Sequence, residues 1–378
     1  MEQETIVRIT CDLYKAVSHK IINLLEKIGI LVFNVQSAKN VVLNEKKSFL
    51  NISKDVLEED LSDIIFFYIP LEYENVIMSL IVKEAELNHP GRGTVYSEIK
   101  KIYFNNIKFF DLEKINEFIK KEKELSILLQ ENFVEITAIV QRGESPDIVR
   151  NILDMGICVP RVTFGRGGGV RSKLGLLRIA IPSEKDIVTV LVNKFDSTEV
   201  MNNLLVAAKI DQPAKGFIYM SPVKKIVINT KLFRGKSKHV ASMEQMISAI
   251  DELKGNNNWR IKFSNIESNL KKRTKYHKGQ VCFMVISNGG FLTRILNNIM
   301  KSGGTGATVY DIYTKSLHNS NKAEIFILPK REMANIVIDK KIYDNIFSVM
   351  VDNGIFSRES SGIVEVSDVI QSCTYFPS

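Results

Sequence analysis

Apolar and polar positions alternate along the chain in a pattern that changes period at regular places. Three stretches begin with a strand-like alternation, continue into an amphipathic helix, and end at a glycine that is typical of a helix C-terminus. They are TIVRITCDLYKAVSHKIINLLEKIG (5–29), FVEITAIVQRGESPDIVRNILDMG (133–156) and VCFMVISNGGFLTRILNNIMKSGG (281–304). The pattern therefore predicts one strand-helix unit that occurs three times.

A second half follows each of these stretches, with the pattern of a strand, a loop, another strand and another helix. Each second half ends on a turn and a last strand. These are PGRGTVYSEIKKIY (90–103), PAKGFIYMSPVKKIVI (213–228) and SSGIVEVSDVI (360–370). The order β-α-β-β-α-β is that of the split βαβ, or ferredoxin-like, motif.

This order predicts an α+β protein of three ferredoxin-like βαββαβ repeats. The strands FMVIS, DIIFFYI and DIVTVLV are continuously apolar, which is typical of burial on both faces. We therefore expect the three sheets to pack against one another as an intramolecular pseudo-trimer, in a chain that is itself a monomer. The predicted divisions are repeats at 1–110, 131–230 and 281–378, a linker helix at 111–130, and a basic linker with a helix at 231–280.

Composition adds a globular class and a cellular compartment to this picture. Hydrophobic residues make up 45% of the 378 residues and charged residues 25%, as in ordinary globular domains. The four cysteines lack disulfide or zinc spacing, and the chain shows neither a secretory signal nor a run of apolar residues that could span a membrane. The sequence predicts a cytoplasmic protein that does not span a membrane and holds no metal site.

The formal net charge of +8 belongs to one segment. Residues 231–280 contain 12 Lys and Arg against 4 Asp and Glu, a surplus equal to that of the whole chain. A charge run of this kind is either a solvated linker face or a binding surface for a polyanion. We favour the linker face, with Trp259 fixing it to the core, and expect no nucleic-acid partner.

Several motifs in this order resemble the PII signal-transduction family. They are ITAIVQRGESPDIVRNILDMGI, GRGGG and PAKGFIYMSPV in the middle segment, GTGATVYDIY (304–313) in the last, and PGRGTVY in the first. The resemblance implies a sensor that binds ATP or ADP in clefts between units, with Mg²⁺ where ATP binds and no cofactor otherwise required. It also implies a protein partner, such as a transporter or a metabolic enzyme, that is controlled through a long T-loop.

Glycine next to a cationic side chain suits a phosphate, because the backbone can approach closely and the cation adds charge-assisted hydrogen bonds. Ordinary turns have the same composition, so that alternative stays open. The third turn, SRESSG, lacks a following lysine pair, which predicts a degenerate third cleft. The candidate nucleotide-binding residues are Gly91, Arg92, Gly93, Thr94, Lys100, Lys101, Gly165, Arg166, Gly167, Gly168, Gly169, Lys215, Gly216, Lys224, Lys225 and Thr308.

The loops after the second strands supply the candidate effector arm. Residues 40–62 form the longest of them and are the predicted T-loop. The stretch VTFGRGGGVRSK (162–173) is interpreted as a shortened one, with Gly165–Gly169 at its base. Motifs of P-loop, zinc-protease and serine-hydrolase chemistry are absent from the sequence, and we therefore predict a regulatory protein rather than an enzyme. Two alternatives remain: an RNA-binding protein that uses 231–280, and a structural scaffold with degenerate clefts.

Overall fold

A computed structural model describes residues 1–47, 53–121, 127–168, 184–229, 233–234, 249–250, 253, 276–317 and 327–375. Two of the sequence-based interpretations fall largely or wholly outside these residues. They are the basic linker at 231–280, including Trp259, and the last glycine of the GRGGG stretch, Gly169.

Strands and helices alternate along the chain. The N-terminal segment (1–110) contains β1 (Glu2–Tyr14), α1 (Lys15–Ile28), β2 (Val32–Lys47), β3 (Ser53–Ile69), α2 (Glu74–Ala85) and β4 (Gly93–Phe104). A helix in the predicted linker, α3 (Leu112–Lys121), packs on α1.

The rest of the chain continues in the same way. The middle segment (131–230) contains β5 (Phe133–Gln141), α4 (Ser145–Met155), β6 (Arg161–Gly168), β7 (Glu184–Asn193), α5 (Ser197–Ala207), β8 (Gly216–Val223) and β9 (Lys225–Val227). After the short β10 (Phe233–Arg234), the C-terminal segment (281–378, with Gln280) contains β11 (Gln280–Asn288), α6 (Leu292–Lys301), β12 (Ala307–Ser316), β13 (Lys330–Asp339), α7 (Tyr343–Asp352), β14 (Ile363–Val369) and β15 (Gln371–Thr374).

Strands from all three segments join edge to edge in one sheet, and nine of them close into an antiparallel barrel. The order around the ring is β2-β3-β1-β4-β14-β11-β13-β12-β6, and β6 pairs back to β2. The pairs β4–β14, β6–β12 and β2–β6 each connect different segments. The remaining strands extend the sheet from this ring.

The predicted fold class, three ferredoxin-like βαββαβ repeats packed as an intramolecular pseudo-trimer, is therefore wrong. An internal-repeat pseudo-trimer needs three sheets that meet through their faces, whereas here the backbone edges of the segments share hydrogen bonds and close a barrel. The periodicity of a strand shows which face is buried, but edge pairing depends on backbone groups that every residue carries. The apolar pattern could not distinguish the two arrangements.

Each strand of the barrel has one apolar face under the helices and one face toward the interior. In β1, Val7, Ile9, Cys11 and Leu13 pack in one hydrophobic cluster with α1 and α2. The alternate residues of the same strand point the other way and include Arg8, Thr10 and Asp12, because successive side chains of a strand lie on opposite faces. The barrel strand β11 faces α6–α7 in the same manner, and β5, which lies outside the ring, faces α4–α5.

Residues 40–62, predicted as a long effector loop, are instead largely paired backbone of β2 and β3. The pairing runs from Asn40 opposite Asp60 to Lys47 opposite Ser53. Val41 and Leu43 are buried in the hydrophobic cluster of the middle segment. These strands are anchored there by apolar contacts, so the prediction of a free loop is wrong for residues 40–47 and 53–62.

No helix in the part of the chain that the structure describes is long and apolar enough to cross a membrane.

Gly216, one of the predicted phosphate-binding glycines, has a structural reason to be glycine. Its φ is +155°, and a Cβ there would lie 2.1 Å from the carbonyl oxygen of Ile139. We expect Gly216→Ala to lower the free energy of unfolding by about 2–4 kcal/mol, since strain and overpacking add. Urea denaturation measures this change.

Gly143 provides the matched control for that substitution. Its φ is +88°, but a Cβ there would meet no atom within 4 Å. Gly143→Ala should cost only about 1 kcal/mol, the conformational part alone. Equal losses in the two variants would contradict the close approach at Gly216.

Candidate functional site

A polar cavity of about 90 Å³ is lined by strands of all three segments, both from the barrel ring and from the strands that extend its sheet. Its charged side chains are Arg8, Glu98, Lys100, Glu135, Arg161 and Glu365. Three are cations and three are carboxylates. Charged groups of this kind are rarely buried unless they are paired or functional, which makes this cavity the candidate functional site.

Arg8 is the centre of the cluster. Its Nε donates to Glu98 Oε2 at 3.0 Å, its Nη1 donates to Glu365 Oε2 at 3.0 Å, and its Nη2 also reaches Glu98. Lys100 Nζ donates to the other oxygen of Glu98 at 2.7 Å. The hydroxyl of Tyr68 donates to Glu365. Every charge in this half of the cavity therefore has a close partner.

Glu98 shows the effect of this pairing on protonation. Burial raises the pKa of its carboxyl group, but attraction to Arg8 and Lys100 outweighs burial and lowers the pKa to about 2. The carboxylate is therefore charged in the folded protein at neutral pH. The same attraction, from Glu365 and Glu98, overcomes burial at Arg8 and raises the pKa of its guanidinium.

Arg161 is held more loosely on the other side of the cavity. Its Nη2 lies 3.4 Å from Glu135 Oε2 and its Nη1 lies 3.8 Å from Asp12 Oδ2, both longer than the 2.7–2.9 Å of a good charge-assisted bond. Its Nε and Nη1 have no hydrogen-bond partner, and the same is true of the buried Thr10 hydroxyl in the cavity wall. Arg161 is only 8% exposed.

Asp12 responds to this weak pairing. Burial raises the pKa of its carboxyl group. Attraction to Arg161 and the hydrogen bond from the Asn40 side-chain amide to Asp12 Oδ1, at 3.0 Å, offset that shift only in part. Asp12 and Asn40 line a second, smaller cavity of about 10 Å³, room for roughly one water. Arg161 lines both cavities, so its guanidinium lies between them.

The turn at 90–94 lies beside this smaller cavity, but its polar groups are already bonded. The Gly91 amide donates to the Asn229 side chain at 2.9 Å, and the Asn229 amide donates to Thr94 Oγ1 at 3.0 Å. Arg92 is exposed and pairs with Glu86 at 2.9 Å. At Gly93, a Cβ would lie 2.4 Å from the Asp12 carbonyl oxygen. The turn is glycine-rich because it packs against β1.

The predicted lysines also have partners of their own. Lys100 enters the central cavity, whereas its neighbour Lys101 lies over the Tyr103 ring, 5.2 Å from its centroid. Lys215 pairs with Glu144 at 2.8 Å. Lys224 and Lys225 both pair with Glu74.

The glycine stretch at 165–168 is strand rather than loop. It belongs to β6, where Gly167 and Gly168 lie opposite Thr308 and Ala307 of β12. A Cβ at Gly165 would lie 2.9 Å from the Val309 carbonyl oxygen, so this glycine lets two strands of the barrel approach. Arg166 pairs with Asp311 at 3.1 Å. The prediction that residues 165–168 form the base of a loop is therefore wrong, and residues 169–173 of the predicted loop lie outside the described residues.

The sequence-predicted site residues are thus distributed over several places and form no common phosphate cradle. Of them, Lys100 lines the central cavity and Thr94 lines the smaller one. The residues that the sequence reasoning missed are Arg8, Thr10, Glu98, Glu135, Arg161 and Glu365. Most of them could have been recognised as inward-facing strand positions, because they are polar residues that alternate with apolar ones in VRITCD, VEIT and YSEIK.

The cavity also contains neutral polar and thiol groups. Burial raises the pKa of the Cys282 thiol in its wall to about 12, so this thiol is protonated at neutral pH and is a poor nucleophile. Among the described residues, no three His, Cys, Asp or Glu side chains come together in a way that could hold a metal ion.

Comparison of the sequence with protein-family models and with curated proteins finds no match. The resemblance to the PII family, which rests on motifs of the sequence, therefore stays a prediction. Neither the fold nor the comparisons support the PII-like and nucleotide-binding interpretations.

Glu98→Gln tests the pairing at the centre of the cavity. It leaves Arg8 and Lys100 short of one carboxylate, and we expect a loss of about 3–5 kcal/mol in the free energy of unfolding at pH 7. Because the folded pKa is below the unfolded value, the wild-type carboxylate contributes stability above about pH 4.5 that is lost as pH falls towards 2. Urea denaturation between pH 4.5 and pH 2 should therefore show a smaller decrease in the free energy of unfolding for the variant than for the wild type.

Glu59→Gln serves as the control. Glu59 pairs with Lys39 on the surface and its side chain is 54% exposed, so its removal should change stability by less than about 1 kcal/mol. Similar effects of the two substitutions would argue against a charge cluster that depends on Glu98.

Proposed function

We propose that the protein is a small-molecule-responsive regulatory protein, and that its effector is a small carboxylate bound at Arg161 in the polar cavity. The observation that carries this proposal is the pair of unused donor nitrogens on a buried guanidinium beside a polar cavity. A buried donor without a partner costs about 1–3 kcal/mol, and more when it is charged. A ligand oxygen would remove that cost.

The distribution of charge supports Arg161 over the other cavity cations. Arg8 and Lys100 direct their donors at carboxylates at 2.7–3.0 Å. Arg161 has two carboxylates at 3.4 and 3.8 Å. By hydrogen-bond distance the donors of Arg161 are therefore the least satisfied of the three. Attraction to Tyr96, Asp12 and Glu135 nevertheless outweighs burial and raises the pKa of its guanidinium. The free hydroxyl of Thr10 lies in the same wall and can donate to the same ligand.

The volume of the cavity limits the ligand. A space of about 90 Å³ holds roughly six to nine waters, which suits a carboxylate of a few heavy atoms. An adenine nucleotide is far larger and is not part of this proposal, since the lysines expected to bind its phosphates are already paired.

A regulatory role is supported by the position of the site. Arg161 belongs to the middle segment, its carboxylate Asp12 belongs to the N-terminal segment, and Glu365 of the same cavity belongs to the C-terminal segment. A ligand here would touch groups from all three and would change how they hold together. Binding energy can shift a conformational equilibrium only through such differential contacts.

Isothermal titration with acetate, glycolate and malonate at constant ionic strength tests the proposal. We expect one binding site per chain in the wild type and a loss of binding of tenfold or more (about 1.4 kcal/mol or more) in Arg161→Met. Thr10→Val keeps the shape of the side chain and all cavity charges, and should weaken binding several-fold. It provides the test if Arg161→Met does not fold.

Arg92→Met is the control, because Arg92 is an exposed arginine paired only with Glu86, and it should bind as the wild type does. If folded wild-type protein binds none of the three carboxylates, or if Arg161→Met binds them equally well, the proposal is wrong. Binding of ATP without binding of the small carboxylates would also count against it.

A further inference from the structure

Arg331, at the start of β13, is the largest fully buried side chain in the described part of the chain, with 0% exposure. Its one hydrogen bond goes from Nη2 to the backbone carbonyl oxygen of Ser361. Its Nε and Nη1 have no hydrogen-bond partner, and no ion pair joins it to a described carboxylate. A carbonyl dipole does not balance a full buried charge.

The other buried cations provide a comparison. Arg8 contacts two carboxylates, Arg161 lies near two, and Lys100 contacts one. Burial without a carboxylate lowers the pKa of Arg331 to about 10, so it still carries its charge at neutral pH. Tyr68 lies close enough to act on that charge, but its hydroxyl already donates to Glu365.

A second unused group lies next to the carbonyl that Arg331 binds. Ser360 is buried at 0% exposure and its hydroxyl has no partner, although its amide donates to Ser357 Oγ. The preceding residues of this turn, Arg358 and Glu359, are more accessible to solvent. Within two residues, from Glu359 to Ser361, the backbone therefore passes from an exposed position to the buried carbonyl group that Arg331 binds.

The turn is held in a fixed shape. Ser361 has a φ of +45°, and a Cβ at Gly362 would lie 2.0 Å from the Ile355 carbonyl oxygen. Asn288 binds the turn from β11, through its amide to Ser360 O at 2.9 Å and through its side chain to Glu359 O at 2.8 Å. A preorganised donor set of this kind lowers the entropic cost of binding an anion.

We propose that Arg331 and Ser360 form a binding site for one small inorganic oxyanion beneath the turn at 357–362. A phosphate or sulfate oxygen accepts from the free guanidinium nitrogens, and the Ser360 hydroxyl donates to a second oxygen. Guanidinium groups suit oxyanions because they offer several fixed donors. The site is separate from the one at Arg161.

Equilibrium dialysis with radiolabelled phosphate, and with sulfate, at constant ionic strength tests this site. We expect one anion bound per chain. Arg331→Met should weaken binding at least tenfold, Arg331→Lys should retain part of it, and Ser360→Ala should weaken it several-fold. Near-ultraviolet circular dichroism shows which variants fold. Ser360→Ala and Arg331→Lys keep the proposal testable if Arg331→Met does not.

Two further variants distinguish this site from anion binding at surface arginines and from binding at Arg161. Arg92→Met removes an exposed arginine and should leave phosphate binding unchanged. Arg161→Met should also leave it unchanged, so a failure of the carboxylate proposal and a failure of this one are distinguishable. The proposal is overturned if folded wild-type protein binds neither anion, or if Arg331→Met binds phosphate as tightly as the wild type.

Discussion

The Arg8 guanidinium joins three strands of the barrel through two carboxylates. Arg8 belongs to β1, Glu98 to β4 and Glu365 to β14, so one side chain connects the N-terminal and C-terminal segments from inside. Burying these charges is costly, and their mutual attraction offsets the cost only if every donor has an acceptor. That condition fixes the relative position of the three strands. The backbone hydrogen bonds between β4 and β14 join the N-terminal and C-terminal segments. The contact of Arg8 with Glu365 joins the same two segments through side chains.

The paired charges of Arg8, Glu98 and Glu365 make the interior polar, whereas the outer faces of the strands are apolar and covered by helices. The helices bury the apolar face of each strand, which provides the hydrophobic free energy of folding. The inner faces are then free to carry charge and a small cavity. Where the inner residues are apolar, as at Ile64, Phe66 and Met284, they line the same cavity as the charged groups. Low local polarity strengthens each ion pair and raises the cost of any unpaired one.

Local structure was well predicted from the sequence, and long-range pairing was not. The helix ends at Gly29 and Gly156 are confirmed, since both residues take left-handed backbone angles at helix C-termini. The helix expected within 111–129 is also present, as α3. The strand pairs that close the barrel could not be predicted, because nothing in the sequence around Gly167 or Thr308 shows that these two residues lie opposite each other.

The interior site was partly visible in the alternation of Arg8, Thr10 and Asp12. It was missed because strand-entry glycines and lysines fitted a phosphate cradle, and packing explains those glycines equally well.

The buried arginines differ mainly in how completely they are neutralised. Arg8 has close carboxylates, Arg161 has distant ones, and Arg331 has only a carbonyl oxygen. Folding desolvates all three. Attraction to neighbouring groups outweighs that cost at Arg8 and Arg161, where the guanidinium pKa is raised, but not at Arg331, where burial lowers it. A ligand anion at Arg331 would therefore gain an attraction that the described residues do not supply, and one at Arg161 would accept from donors without a hydrogen-bond partner. The gain is larger for Arg331, where no carboxylate competes, and smaller at Arg161, where Glu135 repels an incoming anion. The difference in pairing thus predicts that Arg331 binds an anion more strongly, relative to a neutral ligand of the same shape, than Arg161 does.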